Sequence, residues 1–207
     1  MAGAITVRER EIKAGNNQSF EILSGDNDLI IGIGGDTTTV PSVTEVLVDG
    51  VAATKIVGVS QYGYVWAELW MIHNPHLGSA IVVGFTASDA SNVMICVTKC
   101  TGVRIASPVR ATGTAASNSN DLVNASMTSD PLDTVFYFGV KDSGSPVWTN
   151  VTNQSAEILN ARSADEVGSS PTALGTYGET GVDTAIVAVG ASLKRGKRSG
   201  GKVVLLA

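Results

Sequence analysis

Valine, threonine and isoleucine supply 58 of the 207 residues, as 26 Val, 19 Thr and 13 Ile. Two heavy substituents on Cβ stiffen χ1, weaken helix propensity and suit the pleated face of a sheet. The chain also carries 23 Gly and few strong helix formers in succession. These features predict an all-β fold. At 43% hydrophobic and 16% charged residues, the chain is too apolar for wholesale disorder, since it has enough surface to bury against its ordering entropy. No apolar run approaches the roughly 18–20 residues that span a bilayer, so no membrane partner is expected. The start, Met1–Glu11, has neither the apolar core nor the cleavage pattern of a signal peptide, which predicts synthesis in the cytoplasm.

Apolar runs bounded by turn formers recur along the chain. Leu29–Ile33 is continuous and suits a strand buried on both faces, and Gly34-Gly35-Asp36 with Thr37–Thr39 is expected to end it as a loop. Val43–Val48 and Val51–Val59 flank Asp49-Gly50, the strongest hairpin signal present. Tyr64–Ile72, Ser79–Phe85, Val93–Lys99, Arg104–Thr114, Leu122–Met127 and Val135–Val140 follow, and Ala185–Leu193 closes the series with period two. Ser155–Val167 reads as strand plus loop rather than helix, because no apolar face is clean and Gly168–Pro171 follows. About ten strands at this spacing predict an antiparallel β-sandwich, jelly-roll-like, over residues 25–193. Residues 1–24 are expected to form an extended N-terminal arm, with the charges at Arg8, Glu9, Arg10 and Glu11 suiting an edge strand or clasp. Residues 194–207 form a C-terminal tail.

The net charge of −5 conceals an asymmetry. Residues 1–193 hold nine basic and nineteen acidic residues, a balance of −10, whereas Lys194, Arg195, Lys197, Arg198 and Lys202 give the tail +5. An acidic body argues against nucleic-acid binding by the domain, because phosphates need basic surface. The tail suits contact with nucleic acid, a membrane surface or an acidic protein partner, or is a solvated flexible end, and together with Arg8 and Arg10 it is the candidate partner-binding set.

Motifs for chemistry are weak. Gly32–Asp36 is Gly-rich, but Thr37–Pro41 is poor material for the helix N-terminus that a phosphate loop requires. His73 and His76 bracket a turn without a third metal ligand in sequence. Asp26, Asp28 and Asp36 lack the spacing of a calcium loop. Cys96 and Cys100, four apart in a strand, would lie about 13 Å apart, too far for a disulfide. Four Asn-x-Ser/Thr sequons, at Asn17, Asn124, Asn150 and Asn153, read as chance products of a Ser/Thr/Asn-rich sequence. No Ser nucleophile elbow occurs, and no catalytic residue, cofactor or metal is assigned. Tyr62, Tyr64, Trp66 and Trp70 share one parity of a strand, which is the pattern either of core or inter-subunit packing, the favoured reading, or of a sugar-stacking platform.

The segment Ala67-Glu68-Leu69-Trp70-Met71-Ile72-His73-Asn74-Pro75 with Gly78 resembles the "lWyLvNPpaG" stretch of a β-sandwich domain common in bacteriophage structural proteins and bacterial surface proteins. Leu47–Lys55 is similar to that domain's "vtyGGvamTkv" hairpin, Thr101-Gly102-Val103 with Ser107-Pro108-Val109 to its "ysGvd…tPv" stretch, and Ala185–Leu193 to its last strand. These motifs are turn formers and core residues and carry no catalytic group. The resemblance implies a rigid module displayed on a virion, a homo-oligomer with trimers common among such appendages, and the major capsid protein or neighbouring virion subunits as partners. The leading expectation is a capsid decoration (cement) or other head-associated protein. The alternative is a tail or fibre component that binds host-surface carbohydrate.

Overall fold

The structure, a computed structural model, describes residues 5–15, 17–21, 28–36, 43–61, 64–73, 80–86, 92–156, 161–168, 172–181 and 184–196. These residues form strands and no helix. In the first half lie β1 (Thr6–Ala14), β2 (Asn17–Glu21), β3 (Asp28–Asp36), β4 (Glu45–Val48), β5 (Val51–Ala52), β6 (Thr54–Gln61), β7 (Val65–His73), β8 (Ala80–Thr86) and β9 (Val93–Thr101). The second half holds β10 (Val109–Asn120), β11 (Leu122–Thr128), β12 (Thr134–Lys141), β13 (Val147–Thr149), β14 (Asn153–Gln154), β15 (Ala161–Val167), β16 (Thr172–Gly178) and β17 (Thr184–Leu193). All their pairings are antiparallel. The all-β expectation is met.

Four sheets result. Sheet 1 is ordered β2-β8-β4-β5, sheet 2 β1-β9-β3-β7-β6, sheet 3 β10-β17-β12-β15-β14 and sheet 4 β11-β16-β13. The strands up to Thr101 build sheets 1 and 2, and those from Val109 build sheets 3 and 4. Three apolar clusters lie between successive sheets. Phe20, Val46, Val48, Ile81 and Val83 of sheet 1 meet Leu29, Ile31, Ile33, Trp66, Trp70 and Ile95 of sheet 2. Ile30, Leu69, Met71 and Met94 of sheet 2 meet Phe136, Phe138, Val187 and Val189 of sheet 3. Val135, Tyr137, Ile186 and Ala188 of sheet 3 meet Val123, Met127, Trp148 and Tyr177 of sheet 4. The antiparallel sandwich expectation is met in kind, with more layers than one sandwich has: sheets 1 and 2 and sheets 3 and 4 form two sandwiches stacked face to face.

Burial follows the layering. Inner strands β3, β7, β9 and β12 are buried at every residue except, in the first three, the last one, because both of their faces are covered. Outer strand β11 alternates exposed and buried at every step, as a strand with one wet face should. The run expected to end at Ile33 continues through Gly34 and Gly35 to Asp36. Those glycines are strand residues that let layers approach. A Cβ at Gly32 would lie 2.6 Å from the Phe138 ring, and one at Gly34 2.8 Å from both Phe138 and Val140.

The stretch expected as an arm is woven into the stack. Its charged segment pairs with β9 as the edge strand of sheet 2, and Asn17–Glu21 pairs with β8 at the edge of sheet 1. The ambiguous stretch contains strand β15, with 157–160 outside the described residues. Strand β16 escapes the sequence reading because Ala173, Gly175 and Gly178 dilute its apolar signal. The small residue is required there, since a Cβ at Gly175 would lie 2.8 Å from the Tyr137 ring.

Candidate functional site

The basic cluster divides into described and undescribed parts. β17 ends at Leu193, but its backbone remains held through Gly196. Lys194 N–H donates to the Pro108 carbonyl at 2.8 Å, Arg104 N–H to the Lys194 carbonyl at 2.9 Å, and Gly196 N–H to the Gly102 carbonyl at 2.6 Å. Val103 and Arg195 form an antiparallel bridge. The Lys194 ammonium donates to the Ser107 carbonyl at 3.1 Å. Gly196 suits this seat, because a Cβ there would stand only 3.0 Å from the Val103 carbonyl oxygen. Around this root lie the exposed Arg104 and Ile105, the latter 80% exposed. The root thus combines three cationic side chains with one unshielded apolar one. Lys197, Arg198 and Lys202 lie outside the described residues.

Arg10 has a different place. The β1–β9 register sets it opposite Thr98, and its guanidinium points between sheets 2 and 3. Nε donates to Thr98 Oγ1 at 3.2 Å, and Nη2 pairs with the Asp165 carboxylate of β15. Asp165 also accepts from Asn153 Nδ2 at 3.2 Å. Arg10 is therefore engaged within the chain rather than offered to a partner. Burial of both ions is tolerable because each has several charge-assisted hydrogen bonds. Arg8 lies at the β1 bulge between Val7 and Glu9, and its side chain is outside the described set.

The aromatic set does not form one platform. Trp66 and Trp70 point into the core between sheets 1 and 2 and are 1% and 6% exposed. Trp66 meets Phe85 edge-on with ring centroids 6.4 Å apart. Trp70 Nε1 donates to Glu68 Oε2 at 2.7 Å, while Lys55 pairs with Glu68 and lies over the Trp70 ring at 5.7 Å. Tyr64 packs against the other core, between sheets 2 and 3. Tyr64 belongs to the turn before β7, which starts only at Val65, so strand alternation does not extend to it. Tyr62 lies outside the described residues.

The remaining polar candidates are internal fastenings. His73 Nδ1 lies 2.8 Å from Asp28 Oδ1, and Asp28 Oδ2 accepts the Val103 N–H at 3.3 Å. His76 and Asp26 are outside the described residues. Asp28 and Asp36 stand at opposite ends of nine-residue β3, about 26 Å apart at ~3.3 Å per residue, and cannot share a calcium ion. Among the described residues no group of three or more His, Cys, Asp or Glu side chains is placed to hold a metal. Cys96 and Cys100 are buried free thiols. Burial pushes both thiols up, with Cys96 Sγ 2.9 Å from Ser163 Oγ. Arg110 is held by Asp133, whose Oδ2 also accepts from Ser192 Oγ at 2.8 Å.

One carboxylate pair bridges the inner layers. Asp36 ends β3 in sheet 2 and Asp142 follows β12 in sheet 3. Burial, then the hydrogen bond and like charge of Asp142, push the Asp36 carboxyl up to about 6.

No known protein family matches the chain, and no curated protein or solved structure is significantly similar to it.

Proposed function

We propose that this chain is a bacteriophage virion structural protein, a capsid decoration (cement) protein or other head-associated protein, that grips neighbouring capsid subunits through its C-terminal tail. The observation that carries the reading is the anchored tail root. Backbone bonds at Pro108, Arg104 and Gly102 hold the chain through Gly196. The basic sequence Lys197-Arg198 and Lys202, with Val203-Val204-Leu205-Leu206 after it, therefore departs from a fixed point beside Arg104 and Ile105. A cationic segment with an apolar end suits an acidic capsid surface, where the charges draw it in and the apolar residues can add to a neighbour's sheet edge.

The internal role of Arg10 moves the grip to the C-terminus. Thr6–Ala14 already pairs as a strand, and its charged edge discourages further strand addition. In this reading the stacked layers behind the tail supply rigidity. In the carbohydrate-reading alternative, the buried Trp66 and Trp70 have no ring face to offer a sugar.

Co-sedimentation with capsids tests the proposal. Full-length chain should pellet with particles at low salt and progressively less as ionic strength shortens the Debye length below about 8 Å. A chain ending at Gly196 keeps the anchored root and should lose binding. Equal pelleting of both forms would falsify the grip.

A further inference from the structure

The outer face of sheet 1 carries a hollow of about 280 Å³ that the proposed capsid grip does not use. Its origin lies in strand register. Gly84 of β8 pairs with Asn17 of β2 on one side and with Leu47 of β4 on the other. A glycine in the middle of that row leaves a gap between two flanking side chains about 10 Å apart, since neighbouring strands are ~4.8 Å apart. Along β8, Val82 and Thr86 bound the gap two residues to either side of Gly84, each about 7 Å away. The floor is backbone, two walls are apolar and the rim is polar.

The rim is pre-set by a turn. Asp49 and Gly50 have φ of 48° and 80°, the left-handed pair that closes the β4–β5 hairpin. Asp49 N–H donates to the Val82 carbonyl at 3.0 Å, and Asp49 Oδ1 accepts the Val82 N–H at 2.8 Å. Both contacts fix the carboxylate beside the hollow. Its Oδ2, the Asn17 amide and the Thr86 hydroxyl have no partner among the described residues. Val82, 51% exposed, leaves a methyl-bearing wall open to solvent.

From this arrangement we infer that the hollow is a binding site for one neutral hexose ring, such as the terminal residue of a glycan. A pyranose has an aliphatic C–H face and a rim of adjacent hydroxyls. The C–H face fits over Gly84 between Leu47 and Val82. Two hydroxyls can donate to Asp49, and another can pair with the Asn17 amide, which both donates and accepts. Asp49 is the one carboxylate among the lining residues, with Glu45 just beyond it opposite Thr86; their charge repels anions, and they are too few ligands for a metal ion. A shallow site for a ligand of about twelve heavy atoms binds weakly, with a dissociation constant on the order of 1 mM. The inference does not depend on where the chain sits in a particle.

Amide-resolved NMR titration of the full chain with a panel of neutral hexoses and their methyl glycosides tests it, with methylammonium chloride as a charged competitor probe. At least one sugar should move the Asn17, Val82, Gly84 and Thr86 amides saturably in the millimolar range. Gly84→Leu fills the floor and should abolish the shifts. Asp49→Asn keeps the left-handed turn and the bond to Val82 but replaces the free carboxylate oxygen, and should weaken binding about tenfold. The Asn variant alters only an exposed turn, so it remains informative if Gly84→Leu does not fold. The inference is overturned if no sugar in the panel moves these amides at tens of millimolar, if the shifts persist unchanged in both variants, or if methylammonium moves them and the sugars do not.

Discussion

The Arg10 guanidinium of β1 meets the Asp165 carboxylate of β15 across the boundary between the two sandwiches, with side chains only 9% and 6% exposed. The two residues are 155 apart in sequence, so this contact ties the first strand of the chain to one of its last. Removing one partner leaves the other charged and buried. Arg10→Ala or Asp165→Ala should each cost about 3–5 kcal/mol in urea unfolding, whereas Arg10→Met with Asp165→Leu should cost clearly less. A single variant with wild-type stability would show that the pair does not fasten the halves.

Phe138 packs over Gly32 and Gly34 at the same boundary and is fully buried. Phe138→Ala should lose about 3–5 kcal/mol. Gly32→Ala should cost about 1–3 kcal/mol by overpacking, and Phe138→Leu in the same chain should recover part of it. Thermal melts of the single and double variants give the coupling directly.

Asp36, with its carboxyl pushed up to about 6, gives a pH signature. A carboxyl whose folded value exceeds its unfolded value near 3.8 holds its proton more tightly in the native state. Its contribution to stability is complete below the unfolded value and is lost as pH rises through about 6. The melting temperature should therefore show a downward component between about pH 4 and 7 that Asp36→Asn removes. An identical pH profile in the variant would contradict the raised Asp36 carboxyl.

Cys96 and Cys100 are buried, and burial disfavours their thiolates. A thiol reagent at neutral pH should modify neither until the chain unfolds, with rates that follow denaturant as global opening does. Rapid modification in native buffer would place at least one thiol outside the inner layers.

Much of the fold was legible in the residues. The β-branched content, the Asp49-Gly50 hairpin and the continuous run at Leu29–Ile33 all correspond to observed strands. The four-layer stack was also written there, in a signal that the single-sandwich reading passed over. Val65–Ile72, Val93–Cys100 and Val135–Val140 are nearly continuous apolar runs, and an ordinary two-layer sandwich leaves one face of each strand wet. Strands covered on both faces require inner layers. By contrast, Arg10 and Asp165 meet only because two sheets stack, which no local pattern encodes. The hollow at Gly84 depends on which residues of β2 and β4 pair with it, and register across three strands is a tertiary property. Of the aromatic set, Trp66 and Trp70 pack in the core as the favoured reading had it, while Tyr64 precedes β7 and faces the other core because alternation holds only within a strand.

The central claim is that the chain belongs to a virion and is held there by residues beyond Gly196. Its most direct test is a count of copies on density-purified particles, by quantitative mass spectrometry against the major capsid protein, for the full chain and for a chain ending at Gly196. The account predicts a fixed ratio for the full chain and its loss for the shortened one. Absence of the full chain from purified particles, or equal occupancy by both forms, would contradict it.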